Sequence, residues 1–399
     1  MHSTATRSIG RLPWVALVVL AVLLSLGSHA LAQAGGEFVS RAKRAILIDY
    51  DSGAVLYQLN ADELAPPASM SKLMTLEVLF QAMKDGRVKP EDEFMMSENA
   101  WRTGGAPSGT SAMFVPVNTR ARVDELIQGI IVQSGNDACI AVAEALAGSE
   151  ARFATMMETE ARRIGLARST FRNSTGLHHP EHLMTARELA MLARHIIREH
   201  PEHYKIFAQR EFPYRKHKFY NRNPLLSDDI GVDGLKTGHT KEAGYGIVVS
   251  SVTDGKRLIG VVMGLADEKE RRQEARRLLE WGQRSFAKFT LFDADEEVAQ
   301  ARVWGGTRWF VPVTGKSGPL NVVLPRFPAN QKLRAEIVYQ GPLKPPIRKG
   351  DEVARLRVTS SSNATSEVPL VAMEDVEEAS VWRRGLDSLV FLALRWANL

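Results

Sequence analysis

The apolar positions along this chain change period several times, and each change marks an element. Residues 12–26 form one almost unbroken apolar run behind Arg7 and Arg11, and Ala30-Leu31-Ala32 follows it. Ala45-Ile46-Leu47-Ile48-Asp49 reads as a strand, Asp51-Ser52-Gly53 as a turn, and Ala54-Val55-Leu56-Tyr57 as the returning strand of a hairpin. Helical spacing then takes over, from about Pro67 to Lys84, Asp124 to Val132, Asn136 to Ala147, Glu150 to Ile164 and Thr185 to Glu199. From Gly246 the pattern is β-branched again: Gly246–Val252 and Leu258–Met263 flank Asp254-Gly255, a hairpin turn signal. Lys269 to Arg284 is a charged amphipathic helix. A helical middle between two sets of strands predicts an α+β domain whose antiparallel sheet draws on both chain ends.

After about Leu291 the runs shorten. Ala301–Trp304, Trp309–Val313, Leu320–Leu324, Arg334–Val338 and Val353–Val358 are β-like and separated by Gly, Pro and Asn turns, which predicts a small all-β domain. The last residues, Val381 to Leu399, project Trp382, Leu386, Leu389 and Trp396 on one side of a helix and Arg383, Arg384 and Arg395 on the other. Such a helix suits the plane of a membrane interface, and its polar interruptions prevent it from spanning one. The expected organisation is therefore a signal peptide at 1–32, a main domain at 37–290, a β-rich domain at 291–375 and an amphipathic membrane-associating helix at 376–399.

Composition narrows the class. The chain has 399 residues, 44% hydrophobic and 24% charged, with a formal net charge of +5. That is an ordinary globular balance with a mildly basic surface. No Lys/Arg-rich run with interleaved aromatics is present, so nucleic acid is not an expected partner. The charged start, short apolar stretch and small-x-small end of residues 1–32 are the parts of a secretory leader, which predicts export. The single cysteine, Cys139, excludes an intramolecular disulfide and lies in an apolar helical stretch, where it reads as a buried small hydrophobe.

Three short motifs could carry chemistry. Ser69-Met70-Ser71-Lys72 follows Pro66-Pro67-Ala68. A serine and a lysine three apart on a helix share a face, and a lysine can deprotonate a serine if its pKa falls. Ser134-Gly135-Asn136, between two apolar helices, could present a hydroxyl and a carboxamide to one cleft, although both residues are also ordinary in turns. Lys236-Thr237-Gly238, followed by His239, could add a positive charge, a hydroxyl for a carboxylate and a glycine that lets an extended ligand approach a strand edge. Singly, each is weak. In this order and spacing they form the pattern of penicillin-interacting serine enzymes.

With Ile46-Leu47-Ile48-Asp49, Asn221-Arg222-Asn223 and Asp233-Gly234-Leu235 before Lys236, the chain resembles the D-alanyl-D-alanine carboxypeptidases, the low-molecular-mass penicillin-binding proteins, from about Ala45 to Gly282. The resemblance implies a transpeptidase-like α+β domain followed by a small β-rich domain. It implies Ser69 as the acylated nucleophile, Lys72 as its base and Ser134 as a proton shuttle. Asn136, Lys236, Thr237, Gly238 and His239 would bind substrate, with Arg271 assisting its terminal carboxylate. The backbone N–H groups of Ser69 and His239 would form the oxyanion hole. The implied partners are peptidoglycan pentapeptide, β-lactam antibiotics and, through the C-terminal helix, the periplasmic face of the inner membrane. No metal or other cofactor is implied.

Rival activities fit parts of the same pattern. A β-lactamase would need an acid poised for deacylation, and Arg172-Asn173-Ser174-Thr175-Gly176-Leu177 has none. Endopeptidase cleavage of crosslinks is compatible with the sequence as a side activity. A non-catalytic wall-binding protein would have no need of the intact set Ser69, Lys72, Ser134, Asn136 and Lys236. His178, His179 and His182 invite a metal reading, but Pro180 breaks the helix that would align them, and a polar loop near the cleft is expected instead.

Overall fold

The computed structural model describes residues 38–385, except 317, 327–331 and 361–364. The leader at 1–32 and residues 386–399 of the amphipathic helix expected at 376–399 lie outside the described residues; the start of that helix is later than expected, because Val376 and Glu378 are bridged to Ile347 and Gly306 and helical backbone begins only at 381. Among the described residues no helix is long and apolar enough to cross a membrane.

The N-terminal hairpin is β1 (Arg44–Asp49) and β2 (Val55–Leu59), and three further strands arrive after the helical region: β3 (Val232–Thr240), β4 (Gly244–Thr253) and β5 (Lys256–Leu265). They form one antiparallel five-stranded sheet in the order β2-β1-β5-β4-β3. Asp254 and Gly255 both take positive φ at the β4–β5 turn, the conformation that an Asp-Gly pair favours in a two-residue hairpin. Successive side chains of a strand point to opposite faces. Thus Ile46 and Ile48 enter the main core, while Leu47 faces the C-terminal helix of the domain, where a Cβ on Gly282 would come within 2.4 Å of it.

The helices that bear on the site are α1 (Lys72–Lys84), α2 (Asn136–Ala147), α3 (Glu150–Arg163), α4 (Ala186–Glu199), α5 (Pro201–Tyr204) and α6 (Glu268–Ser285); two short ones, Glu98–Gly104 and Val123–Gln128, lie between α1 and α2. Ser149, Thr185 and Asp267 cap α3, α4 and α6 by accepting the backbone N–H three residues on. Phe80, Phe153, Ile130 and Ile140 are fully buried in the core of the helical region.

Two details differ from the helical pattern. The expected helix from Pro67 begins instead as a 3-10 turn, Ala68–Ser71, with Ala68 at φ +49°. The expected helix 124–132 ends early, in a π turn at Gly129–Gln133 that delivers Ser134 at φ +64°. Left-handed backbone at a non-glycine residue is costly and persists only where surrounding contacts impose it. Both departures adjoin residues of the three motifs.

The β-rich region holds β6 (Phe286–Phe292), β7 (Ala299–Arg302), β8 (Phe310–Gly315), β9 (Leu320–Pro325), β10 (Leu333–Val338), β11 (Glu352–Ser360) and β12 (Thr365–Ala372). Five of these form a sheet ordered β7-β8-β12-β11-β10, and β6 pairs with β9. Val311, Val313, Val322, Leu356, Val358 and Leu370 fill its separate core. The pattern of apolar runs does not reveal β12, because Pro369 argues against an interior strand. The register resolves this: of β12, only Leu370–Ala372 pair with β8, so Pro369 lies just beyond the ladder on that side.

Candidate active site

Ser69 stands in the 3-10 turn that leads into α1, and Lys72 opens the helix proper. Three residues of helical rise bring the two together, with Lys72 Nζ 2.8 Å from Ser69 Oγ. Nζ also donates to the Thr175 carbonyl at 2.6 Å. Burial of Lys72 pulls its pKa from 10.5 to about 8, and the charge of Arg222 acts in the same direction. A lysine so placed has a substantial neutral fraction near neutral pH. With one N–H fixed on Thr175, its lone pair can face the serine hydroxyl.

The Thr175 carbonyl is aimed by a tight turn. Asn173 Oδ1 accepts the backbone N–H groups of Thr175 at 3.1 Å and Gly176 at 2.7 Å, and the Ser174 carbonyl accepts from Thr75 Oγ1 at 2.6 Å. Gly176 has φ +77°, and a Cβ there would lie 2.0 Å from the Ala68 carbonyl oxygen and 2.6 Å from Ser71 Oγ. Gly176→Ala should therefore push the turn off Ala68, lowering stability by more than about 2 kcal/mol and displacing Ser69 from Lys72. Thermal denaturation together with the rate of serine acylation would check this. An unchanged midpoint and rate would show that the contact is relieved elsewhere.

The second wall comes from the π turn and α2. Ser134 Oγ and Asn136 Oδ1 are buried with no hydrogen-bond partner among the described residues, while Asn136 Nδ2 donates to Thr110 Oγ1 at 2.8 Å. Asp137 accepts the backbone N–H groups of Met113 at 2.8 Å and Ala138 at 3.0 Å, which ties the stretch before Pro116 to the start of α2. Cys139 is fully buried, and its thiol is pushed up to about 12 by burial, as expected of an inert core residue.

The third wall is β3, the edge of the sheet. Lys236 is buried, and burial, then the charges of Lys72 and Arg222, hold its pKa well below the usual lysine range. Gly238 is required by close packing: a Cβ there would meet the Pro67 carbonyl at 2.9 Å and Met70 Cγ at 3.1 Å. His239 stacks on Tyr245 at 3.9 Å between centroids, and the Arg271 guanidinium lies 5.6 Å from that ring. Arg271 is itself buried, with Nε lacking a partner among the described residues.

Ser69, Ser134, Thr237, Gly238, His239 and Arg271 line one cleft of about 660 Å³. Lys72, Asn136 and Lys236 are buried among them. The three motifs do not point to Thr175, and Arg222, which also lines the cleft, belongs to the Asn221-Arg222-Asn223 stretch but receives no role from it. The Asn173-Ser174-Thr175-Gly176 stretch has the composition of a turn, but nothing local says which lysine its carbonyl faces. The acid absent from that loop is not replaced freely: Glu150 contacts it, but accepts from Ser174 Oγ at 2.6 Å and Ser174 N at 3.1 Å. The histidines grouped at 178–182 are dispersed. His182 is interior against Phe171, and burial pushes it down to about 4, whereas His178 sits 3.9 Å from Glu242.

Comparison with known proteins settles the lineage. The family model described as D-alanyl-D-alanine carboxypeptidase matches residues 32–267. This chain belongs to the D-alanyl-D-alanine carboxypeptidase family. Membership brings the serine-hydrolase class and the carboxypeptidase function with it. A second model, the C-terminal domain of penicillin-binding protein 5, matches residues 286–378, the β-rich region. The chain is 37% identical over 358 residues to the D-alanyl-D-alanine carboxypeptidase DacC of Escherichia coli, covering 89% of each. It superposes on penicillin-binding protein 5 of Haemophilus influenzae with a TM-score of 0.74 and 36% identity, over 86% of this chain and 99% of that one. It is also similar to penicillin-binding protein D2 of Listeria monocytogenes in its ampicillin-bound form, with a TM-score of 0.56 and 26% identity over 62% of this chain and 100% of that one. The α+β domain followed by a β-rich domain is thus the fold that the sequence pattern implied.

Proposed function

We propose that this carboxypeptidase removes the terminal D-alanine of peptidoglycan pentapeptide stems through an acyl-enzyme on Ser69. The observation that carries this reading is the buried Lys72, 2.8 Å from Ser69 Oγ and pulled to about 8. Neutral Lys72 takes the hydroxyl proton as Ser69 Oγ attacks the carbonyl between the two D-alanines. The backbone N–H groups of Ser69 and His239 receive the oxyanion. The proton passes by way of Ser134 to the departing amine, D-alanine leaves, and water then hydrolyses the ester. Asn136 holds a substrate amide, β3 accepts the stem as an added strand beside Gly238, and Thr237, Lys236 and Arg271 receive the terminal carboxylate.

β-Lactams share the carbonyl geometry of the dipeptide and acylate the same serine in this proposal, as the penicillin-binding name and ampicillin-bound form of its neighbour suggest. Residues 1–32 act as an export signal and 381–399 as an interfacial helix, which places the enzyme on the periplasmic face of the inner membrane. The direct test is incubation of the purified protein with a peptide ending in D-Ala-D-Ala and with its D-Ala-L-Ala counterpart. Release of D-alanine from the first, with little turnover of the second, is expected. Equal turnover of both, or of neither, would refute the substrate assignment.

A further inference from the structure

A second cluster of ionisable groups lies on the other side of α1 from the chemistry just described. Glu77, one and a half turns beyond Lys72, is completely buried. His195, near the end of α4, and His200, between α4 and α5, both direct Nε2 at Glu77 Oε1, at 3.0 and 3.2 Å. The three donor atoms lie within 4.8 Å of one another. Donor atoms held about 2.0–2.1 Å from a tetrahedral zinc ion stand ~3.3 Å apart, so the two measured separations match the edges of such a site.

A hydrogen-bonded core trio would account for those two contacts alone. It leaves the other carboxylate oxygen unexplained: Glu77 Oε2 is buried with no partner among the described residues. A buried carboxylate oxygen without a donor is costly, and a cation held by both oxygens of the carboxylate would remove that cost. The nearest competing cation is Arg163, whose Nη2 is 3.9 Å from Glu77 Oε1. It is half exposed, is already paired with Glu160, and its Nη2 also reaches Gln81 Oε1 at 3.3 Å. His200 lines a shallow cavity of about 440 Å³, and the His195 side chain is 22% exposed, so two of the three side chains are reached from solvent.

We propose that Glu77, His195 and His200 bind one divalent transition-metal ion, zinc by donor set, in a structural site separate from the active-site cleft. Two imidazoles and one carboxylate suit zinc, and neither calcium nor magnesium favours imidazole ligands. On binding, each imidazole offers its Nε2 lone pair, and the proton that pointed at Glu77 resides on Nδ1 or is released. The ion ties α1, which carries Lys72, to α4 and α5.

The test uses untagged full-length protein, stripped with a chelator, loaded with zinc chloride and desalted. Close to one zinc per chain is expected by elemental analysis. Saturating zinc should raise the melting temperature by roughly 5 °C, reversibly with chelator. Cobalt loading should show the visible bands of a four-coordinate ion. His195→Ala, chosen because this side chain is partly exposed, and Glu77→Gln should each lower zinc content at least fivefold while circular dichroism remains native. Wild-type protein that retains no zinc after loading would overturn the proposal whatever the variants do. So would folded His195→Ala and Glu77→Gln proteins that bind zinc as the wild type does.

Discussion

Intact-protein mass spectrometry after treatment with benzylpenicillin should show a single covalent adduct on the wild-type enzyme and none on Ser69→Ala. Release of D-alanine from a D-Ala-D-Ala peptide should fall by at least roughly 10⁴-fold in the same variant, the scale on which loss of a serine nucleophile acts. The reason is local. Ser69 is the hydroxyl within reach of Lys72 Nζ, and the turn that carries it is held by Gly176 on one side and Gly238 on the other. Truncation leaves Lys72 its bond to the Thr175 carbonyl, so the fold should be unaffected and the loss should be purely chemical. An adduct of equal yield on Ser69→Ala would move the nucleophile elsewhere. Decay of the wild-type adduct within seconds would favour β-lactamase behaviour, which requires an acid near residues 172–177 that is otherwise engaged.

Lys72→Met should inactivate the enzyme and yet stabilise it at neutral pH. A drop in the lysine pKa from 10.5 to about 8 corresponds to a cost on the order of 3 kcal/mol for keeping the charged form buried. Two hydrogen bonds, each worth about 1 kcal/mol, are lost with the ammonium, so the net gain is about 1 kcal/mol. The sign follows from proton counts. Between about pH 8 and 10.5 the unfolded chain binds this proton and the folded chain does not, so wild-type stability rises with pH across that window. The advantage of the variant should shrink above pH 8 and reverse by about 10.5. Acylation by the wild type should climb about tenfold per pH unit below 8 and level off above it, because only neutral Lys72 accepts the serine proton. A lower melting temperature for Lys72→Met at pH 7, or an acylation rate flat from pH 6 to 9, would contradict the role given to this lysine.

The two predictions depend unequally on what the chain discloses by itself. Ser69 and Lys72 are legible because a fixed helical spacing makes them neighbours wherever that helix lies. Lys236, Thr237 and Gly238 are legible as a string, but their place on an edge strand facing Ser69 rests on pairing between β3 and β4. The depressed pKa of Lys72 is not legible. It comes from burial, and from Arg222, which is 150 residues distant in the chain but close in space. Nor is the Thr175 carbonyl, since a backbone oxygen leaves no compositional trace. The Glu77–His195–His200 cluster is hidden in the sequence for the same reason: the conspicuous histidines are the three grouped at 178–182, whereas the pair that converges is five apart and meets a carboxylate from another helix.

By itself the sequence determined the α+β arrangement, the β-rich region after it, the lineage and the identities of the reactive side chains. Period, turn chemistry and short motifs are local properties, and they survive in a linear string. Tertiary structure alone decided which groups are buried, which backbone atoms face them and where the chain is forced into left-handed conformations at Ala68 and Ser134. Those features depend on packing between segments far apart in the chain. They also set what the residues can do, because a serine beside a lysine becomes reactive only where water is excluded and a third group holds the lysine in place.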